Sequence, residues 1–159
     1  HKRQVGTSWR VDETYIKVKG VCKYLYRAVG KEGKTIDFLF TAKRNKAAAM
    51  RFFDKAMEAN GIPEKVTMDK SGANKAAMDG SMLIRQLKYL NNIVEQDHRA
   101  VKRITKLMLG FKSVHAAKSS LTGIDLMHMI RKGQLMFGGT EEMSFADQFY
   151  ALAGQIRSV

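Results

Sequence analysis

Apolar residues recur along this chain with two periods, first every second residue and later every third or fourth. Trp9 and Val11, then Tyr15 and Ile16, mark a first strand that closes on the turn Lys19-Gly20. Val21 to Val29 alternates around Tyr24 and Tyr26. Gly30-Lys31-Glu32-Gly33 predicts a further turn, and Thr35 to Thr41 a third strand rich in Ile, Phe and Leu. Consecutive strands joined by turns this short predict an antiparallel meander.

The period then lengthens. Asn45 has the chemistry of a helix N-cap, and Ala48, Ala49, Phe52, Phe53 and Ala56 follow at helical spacing up to an Asn60-Gly61 stop, with Pro63 in the loop beyond. Val66 to Asp69 reads as a short fourth strand, Gly72 to Asp79 as a short helix and Met82 to Tyr89 as a fifth strand. Asn91 or Asn92 then caps a long helix to about Leu109-Gly110. A second long helix runs from Ser113 to about Lys132 and ends at Gly133. Ser144 caps a last amphipathic helix through Phe145, Phe149, Leu152 and Ile156. The expected class is α/β: a mixed sheet, made of a three-stranded antiparallel meander plus two further strands, flanked by helices.

Composition narrows what such a domain does. The 159 residues suffice for one domain with a real core, and the formal net charge of +13 favours a polyanionic partner, DNA or RNA first and a membrane surface second. No stretch reaches the ~18–20 apolar residues of a spanning helix, and the polar, basic start predicts no signal peptide. Cys22 is the single cysteine, which excludes an internal disulfide and a cysteine-built zinc site. Among Val21, Tyr24 and Tyr26 it is expected to be a small buried apolar residue. A cytoplasmic protein fits these traits.

Three acids carry the candidate chemistry. Asp12 lies in the first strand, Asp69 ends the fourth, and Glu95 opens a basic helical pattern. Alone, Asp12 reads as a solvent-facing strand residue and Glu95 as a first-turn capping carboxylate. If the first and fourth strands are neighbours, the two aspartates meet, and paired carboxylates repel unless a cation neutralises them. Oxygen donors facing a phosphate substrate suit Mg²⁺ or Mn²⁺ better than zinc. Glu95, Arg99, Lys102 and Lys106 form one stripe of their helix, with a carboxylate at its head and phosphate-gripping residues behind it. A solvated basic face is the plainer reading; the net charge favours DNA contact. His98 either orients a metal-bound water, touches phosphate or is an ordinary partly buried histidine. Asp97 points to another face and is expected to pair with a base or to cap. Met127-His128-Met129 is expected to pack in the core.

Several longer words bear a resemblance. Trp9-Arg10-Val11-Asp12-Glu13-Thr14-Tyr15, Tyr24-Leu25-Tyr26-Arg27-Ala28-Val29, Asp69-Lys70-Ser71 and Tyr89-Leu90-Asn91-Asn92-Ile93-Val94-Glu95-Gln96-Asp97-His98-Arg99 resemble the transposases of bacterial insertion sequences, and above all the sixth insertion-sequence family. Leu109-Gly110-Phe111-Lys112-Ser113 and Ile130-Arg131-Lys132-Gly133-Gln134 resemble its later signatures. The resemblance covers nearly the whole chain. It implies a ribonuclease H-like integrase core over residues 1–134, with residues 135–159 as a C-terminal loop and amphipathic helix of the same domain. It also implies a catalytic and metal-binding triad of Asp12, Asp69 and Glu95, two Mg²⁺ (or Mn²⁺) ions, DNA contacts from Lys70, Arg99, Lys102 and Lys106, and His98 as an accessory. The implied activity is cleavage of transposon ends and strand transfer into target DNA, by a homo-oligomer acting at the bacterial nucleoid and not at a membrane. Two departures stand out: the family's N-terminal helix-turn-helix domain has no counterpart before His1, and the Asp69–Glu95 spacing is short. They leave open a catalytically impaired remnant that only binds DNA or oligomerises, and a ribonuclease H-like nuclease for RNA–DNA hybrids is a third reading.

Overall fold

The computed structural model describes residues 2, 4–68, 83–85, 92–136 and 143–157, with side chains left out at 83–85 and 155–157. Strands β1 (Ser8–Val18), β2 (Val21–Gly30) and β3 (Thr35–Thr41) form the expected meander. Helix α1 (Lys46–Asn60) follows, then β4 (Lys65–Met68) and β5 (Leu83–Arg85). Helices α2 (Asn92–Leu107), α3 (Val114–Arg131) and α4 (Phe145–Arg157) complete the chain. The sheet order is β3-β2-β1-β4-β5, with β4 parallel to both β1 and β5. The proposed helix at Gly72–Asp79 and most of the fifth strand lie outside the described residues.

Local chemistry explains the joints. Lys19 and Gly20 both have positive φ, 50° and 77°, which gives a two-residue hairpin the twist its strands need. The Asn45 side chain accepts from the Ala48 N–H at 2.9 Å and Ser113 accepts from Ala116 N–H at 3.0 Å, each satisfying an orphan donor of a first helical turn.

The pattern of β1 places a core on each face of the sheet. Its early apolar residues, Trp9 and Val11, are odd-numbered and join Tyr26, Ala28, Phe52, Phe53, Val66 and Met68 beneath α1. Its late ones, Ile16 and Val18, are even-numbered and join Leu25, Val101, Phe111, Leu121 and Ile124 beneath α2 and α3. Successive strand side chains point to opposite faces, so Asp12, also even, faces the α2/α3 side. β2 is covered on both faces from Leu25 to Gly30, which makes it a fully buried strand.

Cys22 corrects an expectation. It is exposed, and Val21 beside it is 56% exposed. Both stand at the hairpin tip, and burial on β2 becomes complete only at Leu25. The Met127-His128-Met129 run is half-buried and only Ile130 after it is in the interior, so that expectation holds in part.

Candidate active site

Asp12 lies in the middle of a strand with neighbours on both sides. β4 runs beside β1 with Val11 opposite Met68, the last residue of β4. The next residue in the sequence, Asp69, lies outside the described residues, as does Lys70. On the other side Asp12 is the register partner of Arg27 on β2. Asp12 Oδ1 accepts from the Glu13 N–H at 2.9 Å, and Oδ2 stands 3.4 Å from His98 Nδ1. The Asp12 side chain keeps 20% of its surface exposed, against 7% for His98. Asp12 thus follows directly on the stretch of β1 that is paired on both sides, and its carboxylate is partly shielded.

Helix α2 supplies the opposite wall. Its apolar positions Val94 and Val101 bury one face, and His98, one turn from each, is buried with them and meets Asp12. His98 Nε2 is buried without a hydrogen-bond partner among the described residues. Glu95 lies in the first turn, 43% exposed at its side chain, with Arg99 Nη2 4.0 Å away. Of the basic stripe, Arg99 and Lys106 are exposed, while Lys102 is half-buried with its ammonium 4.5 Å from the centre of the Tyr15 ring. Among the described residues no three Asp, Glu, His or Cys side chains stand close enough together to hold a metal ion. Asp12 meets His98, the expected accessory; of the expected triad, Asp12 and Glu95 are among the described residues and Asp69 is not.

Beneath this wall is a charged network that the sequence only half disclosed. Arg27 is 2% exposed. Its Nε donates to Asp97 Oδ2 of α2 at 2.5 Å, and its Nη2 lies 2.7 Å from Asp125 Oδ1 of α3, an ion pair by distance without hydrogen-bond alignment. Lys132 Nζ donates to the other Asp97 oxygen at 2.6 Å. Burial alone would raise the Asp97 carboxyl, but the charges of Arg27 and Lys132 outweigh it and hold the group below its ordinary value. Burial, reinforced by the Arg27 charge, lowers the nearby His128 imidazole. Gln134, fully buried, accepts from the Thr35 N–H at 2.7 Å and donates to Thr35 O at 2.8 Å, tying the end of α3 to the start of β3. Asp97 pairs with bases, as its helical position predicted. Arg27 and Asp125 were missed; the available signal was a charged residue inside a strand apolar on both faces, which must find a buried counter-charge.

Comparison with known proteins accords with this arrangement. Residues 6–134 match the family model described as a DDE domain, of the IS240 transposase group. The chain is 38% identical over 133 residues to the transposase for insertion sequence-like element IS431mec of Staphylococcus aureus strain Mu50, covering 78% of this chain and 58% of that protein. It matches the Staphylococcus aureus transposase for insertion sequence element IS257 in transposon Tn4003 to the same extent, so it spans 58% of the length of these relatives. In fold it is similar to the HTLV-2 integrase catalytic core domain, solved in complex with magnesium in a trimeric form: TM-score 0.52, 16% identity, 68% of this chain and 76% of that one. It is also similar to a chain of the simian T-cell lymphotropic virus intasome bound to the PP2A regulatory subunit B56 gamma, with TM-score 0.53, 20% identity and coverage of 65% and 42%. The mixed sheet is therefore ribonuclease H-like.

Proposed function

This chain belongs to the DDE-domain transposases of insertion sequences, and from that premise we propose that it is the catalytic core for metal-dependent cleavage of transposon ends and their transfer into target DNA. The observation that carries the reading is Asp12: a partly shielded carboxylate on a central strand, opposite the helix whose first turn holds Glu95 and next to the strand after which Asp69 follows in the sequence. The available donors are carboxylate oxygens, and those of Asp12 and Glu95 remain 20% and 43% exposed at the side chain, which suits a hard cation. Asp12, Asp69 and Glu95 would hold Mg²⁺ (or Mn²⁺), two ions in all. Bound there, such ions would supply Lewis-acid activation of a water or 3′-hydroxyl nucleophile and charge stabilisation for the leaving oxygen.

The chain's own groups prepare this chemistry. The Glu13 N–H fixes one Asp12 oxygen, and the His98 ring stands against the other, so that the carboxylate is oriented before substrate arrives. Lys70, Arg99, Lys102 and Lys106 hold phosphates on either side of the scissile bond. The Arg131 guanidinium lies 5.7 Å from the Phe145 ring centre, which supports residues 135–159 as part of the same domain as 1–134. The assembly is a homo-oligomer working on DNA at the bacterial nucleoid; among the described residues no helix is long and apolar enough to cross a membrane.

The test is Asp12→Asn in a strand-transfer assay with Mg²⁺ and labelled transposon ends. The substitution keeps volume and removes the anionic oxygen, so activity should fall by at least ~100-fold. Retained activity would remove Asp12 from the mechanism. DNA binding with no Mg²⁺-dependent cleavage in the unsubstituted chain would leave a DNA-binding remnant.

A further inference from the structure

Beyond Val11 no described strand pairs with the β4 side of β1 until Phe111 meets Val18, where the Lys19 N–H donates to Phe111 O at 2.8 Å. Between these points β1 and α2 are linked twice, first by Asp12 against His98 and then by Tyr15 beneath Lys102. The second contact is three residues further along the strand, from a residue whose parity is opposite to that of Asp12, and one turn further along the helix, where the long Lys102 side chain reaches the Tyr15 ring. It opens into a cavity of about 420 Å³, walled by Tyr15, Lys17, Lys102, Lys106 and Leu109 over a floor of Ile16 and Phe111. A second cavity, of about 540 Å³, shares Lys17, Leu109 and Phe111 with the first and adds Lys19 and Lys112. No carboxylate lines either one among the described residues. Tyr15 remains 54% exposed and Leu109 96%.

The geometry points to this groove as a subsite for an unpaired DNA strand leaving the catalytic centre, with a base laid on the Tyr15 ring and phosphates on the lysines around it. This rests on the reading of the chain as a DNA transposase and adds the strand state it takes. A lysine-lined track calls for a polyanion, while an exposed aromatic ring calls for a free π-face. Paired bases within a duplex have both faces stacked already, so the ring selects a base that has left the helix. An acidic peptide would satisfy the lysines but gain little from the ring. Asp12 and Tyr15 are about 10 Å apart along the strand, a span that a few nucleotides of an unpaired strand cover. The occupant is therefore the short single-stranded stretch adjoining the phosphodiester held at Asp12.

Fluorescence anisotropy tests it, using a blunt duplex, the same duplex with an overhang of about three nucleotides, and a short oligo-dT, with Ca²⁺ in place of Mg²⁺. Tyr15→Ala should weaken the overhang duplex and oligo-dT about tenfold and leave the blunt duplex unchanged, while Tyr15→Phe binds all three like the parent. Lys17→Ala with Lys112→Ala should make overhang affinity less dependent on salt, the slope falling by about 1–2. Thermal unfolding of each variant at the parent's temperature shows that the fold is kept. Equal affinity of Tyr15→Ala and parent for the overhang duplex overturns the subsite, as does displacement of the oligonucleotide by poly-glutamate at equal charge concentration. If the unsubstituted chain binds no DNA at all, it is the transposase reading that fails. Duplex binding indifferent to every groove variant sinks the subsite alone.

Discussion

Arg27→Leu is the most searching test of how the site is held. Arg27 is opposite Asp12 on the neighbouring strand, yet its guanidinium is turned to Asp97 on α2 and Asp125 on α3. Leucine approximates its apolar stem and removes the charge. Asp97 then keeps Lys132, whereas Asp125 has no other cation in contact among the described residues. Removing one partner of a buried ion pair costs about 3–5 kcal/mol, because the remaining charge stays desolvated. At about 2–4 °C per kcal/mol for a chain of this length, the melting temperature should fall by roughly 6–20 °C. Thermal and urea unfolding followed by circular dichroism measure it. Adding Asp97→Asn and Asp125→Asn to Arg27→Leu removes the stranded charges and should restore more than half the loss. A fall below about 2 °C, or a triple variant no more stable than the single, would refute the claim that charge pairing pins α2 and α3 to β2. The acids matter for the site as well. With Asp97→Asn and Asp125→Asn alone, Arg27 is free to turn to Asp12, and Mg²⁺-dependent activity should fall while the fold persists.

Acid should weaken the fold in two stages. The lowered His128 favours its neutral form in the fold, so stability falls as pH drops through 6.5 and the unfolded chain takes the proton first. The depressed Asp97 contributes stability that is complete above 3.8 and lost as pH falls through its lower folded value. Melting temperature against pH should show both steps, and His128→Asn should abolish the upper one. Asn45→Ala removes the α1 cap and should cost about 1 kcal/mol in urea unfolding; an unchanged midpoint would mean that the cap is satisfied otherwise. Gly110 has φ of 92° and leaves 3.6 Å between a would-be Cβ and Lys17 O, so Gly110→Ala should cost about 1–3 kcal/mol. The same substitution should loosen the Phe111–Val18 contact, which faster amide exchange at Lys19 would report.

Strand and helix periods along the chain were enough to foretell the meander and the capped helices, because those depend on steric alternation and on hydrogen bonds between near neighbours. Asn45, Ser113 and the Lys19-Gly20 turn stand as read for that reason. The local pattern gave Asp97 either a base or a capping role, and did not say which base. Arg27 and Asp97 are 70 positions apart, and their pairing exists only because β2 lies beneath α2. Tyr15 and Cys22 have apolar spacing yet lie exposed, although Ile16 and Val18 at the same end of the sheet are buried beneath α2 and α3. His98 stood open between a water-orienting, a phosphate-touching and an ordinary buried role, and only the packing of Val94 and Val101 set it against Asp12. Periodicity is a property of adjacent residues; ion pairs, grooves and coverage come from segments meeting across space, and only the packed chain decides which segments meet.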